Sequence, residues 1–521
     1  MTAQRPILTA DRDDPPAPPA AARPPAERLR LPMPTDTALS WICTLVVTLL
    51  AAMPRFWGLG APKGKIFDEI YYATEAHDLL QHGYEANPGY LFIVHPPLGK
   101  WFIAAGEYVF GYNEVGWRVS SALAGSLCVL ILIRVVRRMT RSTMLGCAAG
   151  LLLAADGLSF VQSRVALLDI FLTLLVLAGF GCLVVDRDRM RERFARAVAV
   201  GGDAGSGAGT AFATGGDPMG WRYGPRPWRL AGGVLLGLSC AVKWSGVYFL
   251  AAFAVLSLIW EVRARRAAGV RRPWAATAGR RLPGALFAFG VAPVAAYLAS
   301  WSGWFLGENS YDRHWGETHQ EYWSWLGAPL RGLIHYHWEA YNFHIHLTSF
   351  HPYKSTPWSW LVDGRPLSYY YPTKPAPTGC GASQCVREVL AIGTPALWWA
   401  FVPALLWMVW WLVSRRDWRA GVVLTAFVAG WAVWLTDPHR TMFLFYMTPL
   451  VPFLVMGVTF LLGDVLGRAD APPNRRSWGL IAVCGYVALV LVDFAWLHPL
   501  LVGSLLSYDQ WHARIWFPSW I

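Results

Sequence analysis

The sequence predicts an all-α polytopic membrane protein with about eleven transmembrane helices and with amphipathic helices and loops outside the membrane. Three observations support this fold class. Hydrophobic residues make up 55% of the 521 residues and charged residues only 15%, which is too apolar for an ordinary soluble enzyme. The 30 Trp residues suit the aromatic belts of a membrane interface. Apolar segments, most of them near the ~20 residues that span a bilayer, recur along the chain.

The chain begins with residues 1–35, which are rich in Pro, Ala and Arg without periodicity and predict a disordered cytoplasmic tail. This polar leader is too long for a cleaved signal peptide, so residues 37–55 are the first predicted span of a transmembrane domain at 36–521. The segments at 143–157 and 229–242 are short for a span. The further predicted spans are residues 115–136, 143–157, 166–185, 229–242, 246–262, 283–303, 388–413, 419–436, 441–463 and 478–497.

Arginine marks one side of the membrane. Thirty of the 45 basic residues lie in the tail and in alternating connections, which the positive-inside rule assigns to the cytoplasm. The longest basic connection, 187–228, contains a Gly- and Ala-rich stretch at 200–220 that predicts a flexible segment. Eleven spans place the amino terminus in the cytoplasm and the carboxyl terminus outside the plasma membrane. The net charge of +12 is therefore mostly a topology signal and does not indicate a nucleic-acid partner.

Ionisable and aromatic residues gather on the opposite, external side. All 13 His lie there, in loops that include 56–114 and 304–387, and Tyr369–Tyr371 suggests an aromatic wall or an interface anchor. A channel would carry ionisable residues deep in several spans. Here they collect at one interface, which suits chemistry on a substrate in the outer leaflet. The charged residues at or near the outer helix ends are Asp68, Glu69, Lys100, Arg118, Arg164, Asp169, Lys243 and Arg440.

Two adjacent carboxylates, Asp68 and Glu69, follow the first span among aromatic residues. Charge beside a membrane is costly unless it is solvated, paired or used. We therefore predict that Asp68 is a catalytic base. The alternative is that Asp68 caps an amphipathic helix that runs to about Gly83. On a helix Glu69 would point about 100° away from Asp68, so we expect Glu69 to position the acceptor or the loop.

Several cations occur at the same level and could bind a phosphate group. A phosphate site needs converging cations, and Arg offers a bidentate fork to phosphate oxygens. Arg118 is the first choice, followed by Lys243, Arg440 and Arg164. Each of them could instead be a snorkelling anchor, and Arg164 could simply pair with Asp169, five residues later.

Four histidines fall within twelve residues, as His335, His337, His344 and His346. Such crowding is compatible with a zinc site. However, residues i and i+2 point to different sides of a helix, and no H-E-x-x-H motif is present. We therefore predict no metal ion, and no cofactor is required by the chemistry.

Six of the eight Cys residues lie in apolar segments and suit small buried hydrophobes. Cys380 and Cys385 stand in a polar loop and are the plausible disulfide pair. A disulfide at this position requires an oxidising compartment, which agrees with the external placement of loop 304–387.

Taken together, the motifs resemble the protein O-mannosyltransferase family, most closely its actinobacterial members, from about residue 40 to the carboxyl end. Loop 304–387 is too short for the β-trefoil domain of eukaryotic members. The motifs that carry the resemblance are Phe67-Asp68-Glu69, His95-Pro96-Pro97-Leu98-Gly99-Lys100, Trp117-Arg118, Ser163-Arg164 through Leu168-Asp169, Gly237-Leu238-Ser239 through Lys243-Trp244, and Arg440-Thr441-Met442-Phe443.

The resemblance implies a GT-C glycosyltransferase fold and a polyprenyl-phosphate-linked mannose donor. The sugar would pass, with inversion, to Ser or Thr hydroxyls of secreted or membrane proteins crossing the membrane. The family's acidic pair maps onto Asp68 and Glu69. The substrate-binding residues expected from the motifs are Arg118, Lys243, Arg440, Arg164, His95, Lys100, Asp169 and Trp244.

Two other functions fit parts of the pattern. A related GT-C transferase could move another lipid-linked sugar, such as arabinose, to a glycan or lipid, because sugar identity is not legible from these residues. A transporter would show internal repeats and broken helices near the midplane of the bilayer. We find no convincing internal repeat, which favours the transferase.

Overall fold

The computed structural model describes residues 32–86, 94–202, 224–468 and 470–521, together with Glu27, Leu29 and Arg30. Most of the predicted disordered tail at 1–35 and of the predicted flexible stretch at 200–220 therefore lies outside the described residues. The predicted division into a tail and a single domain at 36–521 stays a prediction.

The chain forms two compact units. The larger consists of Met33–Asp186, Arg226–Leu258 and Leu282–Ile521, and the smaller of Met1–Pro32, Arg187–Pro225 and Ile259–Arg281. Within the smaller unit, Arg265 donates to Glu261 one turn earlier at 3.0 Å, so both charges are neutralised. The apolar core of this unit contains Leu29, Met190, Phe194, Ala195, Ala264 and Ala268.

Helices dominate the described chain, as the fold class predicts. Many of them join through turns of only a few residues, so that consecutive helices pack as neighbours. In the first half the helices are α1 Thr37–Phe56, α2 Glu69–His82, α3 Leu98–Phe110, α4 Glu114–Thr140, α5 Thr143–Ala154, α6 Gly157–Gln162, α7 Asp169–Gly202, α8 Pro227–Cys240, α9 Gly246–Ala267, α10 Pro273–Leu286 and α11 Ala292–Ser300.

The second half begins with short helices and ends with long ones. A π-helical turn at Phe287–Val291 makes α10 and α11 continuous. Another at Trp411–Arg415 extends the helix Phe401–Trp410. The helices are α12 Ser302–Leu306, α13 Trp315–Thr318, α14 Ala328–Ile345, α15 Pro357–Trp360, α16 Pro395–Trp398, α17 Phe401–Trp410, α18 Trp418–Trp431, α19 Val451–Leu466, α20 Pro473–Leu501 and α21 Tyr508–His512.

Eight helices of the described chain are long and apolar enough to cross a membrane: α1, α4, α7, α9, the continuous Pro273–Ser300, Pro395–Arg415, Trp418–Leu435 and α20. The eleven predicted spans correspond to these eight, to the shorter apolar helices α5 and α19, and to α8. The two segments that the sequence marked as short, α5 and α8, have 12 and 14 residues.

Two predicted spans begin too early, and the span expected from residue 283 begins ten residues too late, because its helix starts at Pro273. The span expected from residue 388 begins at Pro395, because Val389–Ala391 forms strand β3. The span expected from residue 441 begins at Val451, because Thr441 and Met442 bond to a distant loop and Leu444–Met447 forms a separate 3-10 helix. The backbone N–H of Thr441 donates to the Leu347 carbonyl at 2.8 Å, and that of Ser355 donates to the Met442 carbonyl at 2.9 Å.

Two small antiparallel sheets interrupt the helices in the described chain. Strand β1 (Leu367–Tyr370) pairs with β3 (Val389–Ala391), and β2 (Cys385–Val386) pairs with β4 (Leu506–Ser507). The predicted disulfide between Cys380 and Cys385 is present beside β2, with Cα atoms 5.8 Å apart. The pairing of β2 with β4 therefore fixes the end of loop 304–387 against the carboxyl-terminal segment.

Helix α4 lies at the centre of the packing around the amino-terminal half. It packs against α1, α3 and α5. A Cβ at Gly106 would lie 2.3 Å from the Gly116 carbonyl oxygen, so glycine permits the close crossing of α3 and α4. The Asn113 side chain caps α4 by accepting from the Val115 and Gly116 N–H groups. This tight corner sets the position of Arg118, one turn into α4.

Candidate active site

A buried ion pair fixes the loop that leads from α1 to Asp68. Arg118 donates from Nε and Nη2 to the two carboxylate oxygens of Glu69, each at 2.7 Å, and neither side chain is exposed. Glu69 also accepts from the backbone N–H groups of Ile66 and Ala166 at 2.9 Å. The remaining N–H groups of Arg118 donate to the carbonyls of Leu59, Pro62 and Gly64.

These contacts give every charged group of both side chains a hydrogen-bond partner. A buried charge is stable only when it is paired and hydrogen-bonded, and Glu69 and Arg118 meet both conditions within the protein. Of the two roles expected for Glu69, positioning the loop matches its contacts. Arg118, the first choice for a phosphate ligand, directs its N–H groups to Glu69 and to the carbonyls of the same loop.

Asp68 precedes α2 at the cap position, but its side chain makes no capping hydrogen bond. The alternative prediction, in which Asp68 serves as a helix cap, is therefore wrong for the side chain. The preceding residue, Phe67, has a φ of +48°, a left-handed conformation that is costly for a bulky residue. The backbone turn thus directs Asp68 away from the helix end.

Aromatic side chains hold Phe67 in this conformation. Its ring stacks on Tyr369 with centroids 4.7 Å apart, and it meets Phe443 and Phe445 edge-on at 6.3 and 6.0 Å. Gln162 Nε2 donates to the Tyr369 hydroxyl at 2.7 Å. The wall around Asp68 is therefore built from three segments that are remote in sequence.

The electrostatic surroundings of Asp68 differ from those of Glu69. Burial raises the pKa of Asp68 to about 7, Lys243 opposes this rise, and Asp169 adds to it. Lys243 Nζ donates to Asp169 Oδ2 at 2.8 Å. Asp68, Asp169 and Lys243 therefore interact as one group, in which a single cation serves two carboxylates. The predicted pairing of Arg164 with Asp169 is wrong.

Two neutral imidazoles and Arg440 lie near this group. The rings of His95 and His344 are 5.3 Å apart. His344 Nε2 lies 2.8 Å from the Val94 carbonyl oxygen, so it carries the proton, because a carbonyl can only accept. Arg440 Nε donates to the His344 carbonyl at 3.0 Å, and its Nη2 lies 3.4 Å from Nδ1.

Burial lowers the pKa of His344 to about 4, and the charges of Arg440 and Lys243 act in the same direction. Burial also lowers the pKa of His95 well below its usual range, with Lys243, His344, Lys100 and Arg440 adding to the effect. Both imidazoles are therefore neutral near pH 7 and leave the positive charge of the site to Lys243 and Arg440.

Trp244 contributes structure at the edge of the site. Its Nε1 donates to the Tyr297 hydroxyl at 3.0 Å, and its ring stacks on His337 with centroids 5.6 Å apart. Tyr297 in turn bonds to His337 Nε2 at 2.5 Å. The contacts connect the turn after α8 with α11 and α14.

Two of the predicted substrate-binding cations lie in other environments. Arg164 donates to the carbonyls of Pro54, Arg55, Trp57 and Gly58 at 2.7–3.0 Å, and so caps the carboxyl end of α1. Lys100 is fully buried between Glu75 at 3.0 Å and Glu85 at 2.7 Å. Neither contact set leaves these cations as evident ligands for a phosphate.

Sequence reasoning missed three contributors to the site. Phe67 and Gln162 carry no chemical signal of their own. His344 was considered only as a zinc ligand, although it is the partner of Arg440. The role of His344 follows from the fold: segments 344–355 and 437–443 run side by side, and this brings His344 to Arg440.

Two family models match the chain. The model described as dolichyl-phosphate-mannose-protein mannosyltransferase matches residues 45–200. The model described as the C-terminal four TMM region of protein-O-mannosyltransferase matches residues 329–520. Asp68, Glu69, Arg118 and Asp169 fall within the first match, and His344 and Arg440 within the second.

Curated relatives match nearly the whole chain. Polyprenol-phosphate-mannose–protein mannosyltransferases from Mycolicibacterium smegmatis and Mycobacterium tuberculosis are 45% and 44% identical, over 94% and 100% of both chains. The Corynebacterium glutamicum protein of the same name is 35% identical over 93% of this chain and 94% of its own.

Solved structures share the fold at low identity. The S. cerevisiae protein O-mannosyltransferase Pmt1–Pmt2 complex bound to the sugar donor aligns with a TM-score of 0.70 at 13% identity, covering 95% of this chain and 94% of that one. ArnT from Cupriavidus metallidurans bound to undecaprenyl phosphate aligns with a TM-score of 0.50 at 16% identity, covering 89% and 71%. The fold is the GT-C glycosyltransferase fold.

Proposed function

This chain belongs to the protein O-mannosyltransferase family, and from that premise we propose that Asp68 is the base of its transfer reaction. The enzyme transfers mannose from polyprenol phosphate mannose to protein, the reaction that names its relatives. We propose Ser and Thr hydroxyls as the acceptors and the outer face of the plasma membrane as the place of transfer. Arg-rich connections on the opposite side and the disulfide in loop 304–387 support that orientation.

The reaction exchanges one bond at the anomeric carbon. The acceptor oxygen attacks C1 of mannose, the bond from C1 to the phosphate oxygen breaks, and its electron pair leaves with polyprenyl phosphate. The hydroxyl proton passes to the Asp68 carboxylate as the new bond forms. Attack from the face opposite the phosphate inverts the configuration at C1. General-base assistance of this kind is typically worth roughly 10²–10⁴-fold in rate.

The observation that carries the proposal is the state of the Asp68 carboxylate. It has no capping role, it lies beside Lys243, and its pKa is raised to about 7. A general base is most effective when its pKa lies near the working pH, because it is then both sufficiently ionised and sufficiently basic. Glu69, which is locked to Arg118, lacks this freedom.

We assign the departing phosphate to Lys243 and Arg440. Fixed cations stabilise negative charge that develops on a leaving group, and these two lie with Asp68 and the neutral imidazoles His95 and His344. Lys243 can exchange its contact with Asp169 for one with the donor. Arg118 and Arg164 act through the loop and helix that they hold.

The test is mannose transfer in isolated membranes supplied with labelled polyprenol phosphate mannose and a Thr-rich peptide. We expect Asp68→Asn to lower the rate by at least about 10²-fold. The matched control is Asp78→Asn, the same chemical change at a partly exposed position of α2, and it should keep most of the activity. If Asp68→Asn transfers mannose at close to the wild-type rate, Asp68 is not the base.

The same assay identifies the acceptor class. Label on the peptide hydroxyl supports protein mannosylation. Label that accumulates in a lipid or glycan fraction, in the wild-type enzyme and with the peptide present, would instead indicate transfer to a different acceptor.

A further inference from the structure

Three potential metal ligands converge between loop 304–327 and the middle of α14. His335 and Glu339 are four residues apart on one face of α14, and Asp312 approaches from the preceding loop. His335 Nε2 lies 3.7 Å from Asp312 Oδ2 and 3.5 Å from Glu339 Oε1. One ligand atom from each of the three residues lies within 4.8 Å of the others.

These separations are longer than hydrogen bonds, which for N–H···O are 2.7–3.2 Å. They match the edges of a metal coordination shell instead. Ligand atoms about 2.0–2.2 Å from a tetrahedral zinc ion lie roughly 3.4 Å from each other. The carboxylate oxygens of Asp312 and Glu339 would move slightly towards each other to complete the shell.

The cluster also has outer contacts that orient its members. The Trp315 ring stacks on His335 with centroids 4.1 Å apart and planes at 5°. The Tyr311 hydroxyl donates to Glu339 Oε2 at 3.1 Å, which leaves Oε1 turned towards the imidazole. Metal ligands are commonly oriented by such second contacts.

One oxygen of the cluster lacks a protein partner. Asp312 Oδ2 is buried and accepts no hydrogen bond, although buried carboxylate oxygens are normally satisfied. The side chains of Asp312, His335 and Glu339 are 20–39% exposed, so an ion can reach the cluster from solvent. The rival explanation is a proton shared between Asp312 and Glu339.

We infer that Asp312, His335 and Glu339 form a binding site for a divalent transition-metal ion of the Zn²⁺ class. One imidazole nitrogen with two carboxylate oxygens suits Zn²⁺, whereas Ca²⁺ and Mg²⁺ prefer oxygen ligands alone. The site differs from the zinc cluster considered from the sequence, because His337 and His344 face other partners.

The ion would join loop 304–327 to the middle of α14. The same helix carries His337, which lies between the two ligands and stacks on Trp244, and His344, which lies further along and contacts Arg440. Fixing α14 through His335 and Glu339 thus holds the side chains that the helix presents to the Asp68 site. The metal ion is structural in this arrangement and takes no part in the transfer chemistry.

The test uses the full-length protein in detergent, purified without a polyhistidine tag, stripped with EDTA and titrated with Zn²⁺. We expect about one Zn²⁺ per chain by elemental analysis and a rise in the unfolding temperature on Zn²⁺ addition. Glu339→Gln, which preserves side-chain shape, and His335→Ala should each weaken Zn²⁺ binding at least about tenfold and remove the rise. Tyr311→Phe should weaken binding by about 10–100-fold through the lost outer contact.

The matched control is His314→Ala, because His314 forms an exposed pair with Glu317 in the same loop without a third ligand. It should bind Zn²⁺ as the wild type does. Equal Zn²⁺ binding by the wild type and Glu339→Gln would overturn the inference and favour the shared proton. Transfer activity serves as a second readout. Without EDTA, when the wild type retains zinc, Glu339→Gln should transfer mannose more slowly than the wild type. With EDTA, the two proteins should transfer mannose at the same rate.

Discussion

At the scale of single residues, Asp68 and Glu69 are sequence neighbours in opposite surroundings. Glu69 accepts four hydrogen bonds, two from Arg118 and two from backbone N–H groups. Asp68 makes no capping bond, and among the described residues its charge is stabilised by Lys243, which also serves Asp169. The turn at Phe67 separates the two roles, because it points consecutive side chains into different parts of the protein.

The raised pKa of Asp68 predicts a pH dependence of transfer. A general base acts when it is deprotonated, so kcat/KM should fall as the pH drops below about 7, by about tenfold per unit, and level off above it. Lys243→Met removes the cation that opposes the rise, so the midpoint should move to higher pH. Lys354→Met, which removes a lysine bonded to the His439 carbonyl, is the control. A midpoint that stays fixed in Lys243→Met would contradict the coupling.

Exchanging each carboxylate for its amide should separate catalysis from stability. Glu69→Gln leaves the buried Arg118 charge without its partner, which typically costs about 3–5 kcal/mol of folding free energy. Asp68→Asn removes a carboxylate whose charged form is already disfavoured by burial, so its unfolding temperature should stay near that of the wild type. Thermal unfolding in detergent, measured beside transfer activity, checks both expectations. A stable but inactive Glu69→Gln would give Glu69 a chemical role.

At the scale of elements, Arg164 completes α1. Helix ends leave carbonyl groups without partners, and Arg164 donates to two at the end of α1, Pro54 and Arg55, and to two more in the turn that follows, Trp57 and Gly58. The cation approaches from the turn after α6, more than a hundred residues later. The contact therefore ties the start of the acidic loop to the segment that also supplies Ala166 to Glu69.

Arg164→Ala should accordingly destabilise the fold more than it weakens donor binding. Leaving buried carbonyls unpaired costs about 1–3 kcal/mol for each group that water cannot reach. We expect a lower unfolding temperature and a largely unchanged KM for the donor in the fraction that remains folded. Arg468→Ala, which removes an exposed pair with Asp470, should leave both unchanged. A large rise in KM at wild-type stability would restore Arg164 as a phosphate ligand.

The elements that sequence predicted well are those set by local pattern. The helix expected from Asp68 to about Gly83 is α2, which ends at His82 with Gly83 at a φ of +81°. Hydropathy also located the eight membrane-length helices of the described chain and the shorter apolar helices α5 and α19. The start of α19 was predicted wrongly, because the residues that precede it are apolar and yet bond to loop 344–355. The contacts of Arg164 could not be predicted, because its acceptors are backbone carbonyls, which leave no trace in side-chain identity. The pairing of Arg118 with Glu69 could not be predicted either, because the two residues are 49 positions apart and meet only in the fold.

The same limit applies to the metal cluster. Attention to His spacing alone suggested positions 335, 337, 344 and 346, and the i, i+2 geometry excluded them. The effective pattern is His335 with Glu339 one turn later, and Asp312 joins it only through the fold of the intervening loop. Spacing can indicate the first two ligands, but not the third.

At the scale of the whole molecule, the proposed function requires the Asp68 end of the helices to face outwards. Single cysteines introduced at Thr436 and Asp470, in a background without the six free cysteines, should report the orientation in the membrane. Both positions are exposed, and one precedes and the other follows α19 in sequence. We expect a membrane-impermeant maleimide to label Thr436→Cys in intact cells and Asp470→Cys only after permeabilisation. The reverse pattern would place the site on the cytoplasmic face.

The contacts of Glu69 and of the end of α1 also set an order of biosynthesis. The first helix and the acidic loop leave the ribosome early, but their partners Arg118, Arg164 and Ala166 follow 49 to 110 residues later. Until those partners have been translated and inserted, the loop lacks the groups that hold it. A nascent chain that stalls before the turn after α6 therefore presents the complete acidic motif without the architecture that would make it an enzyme.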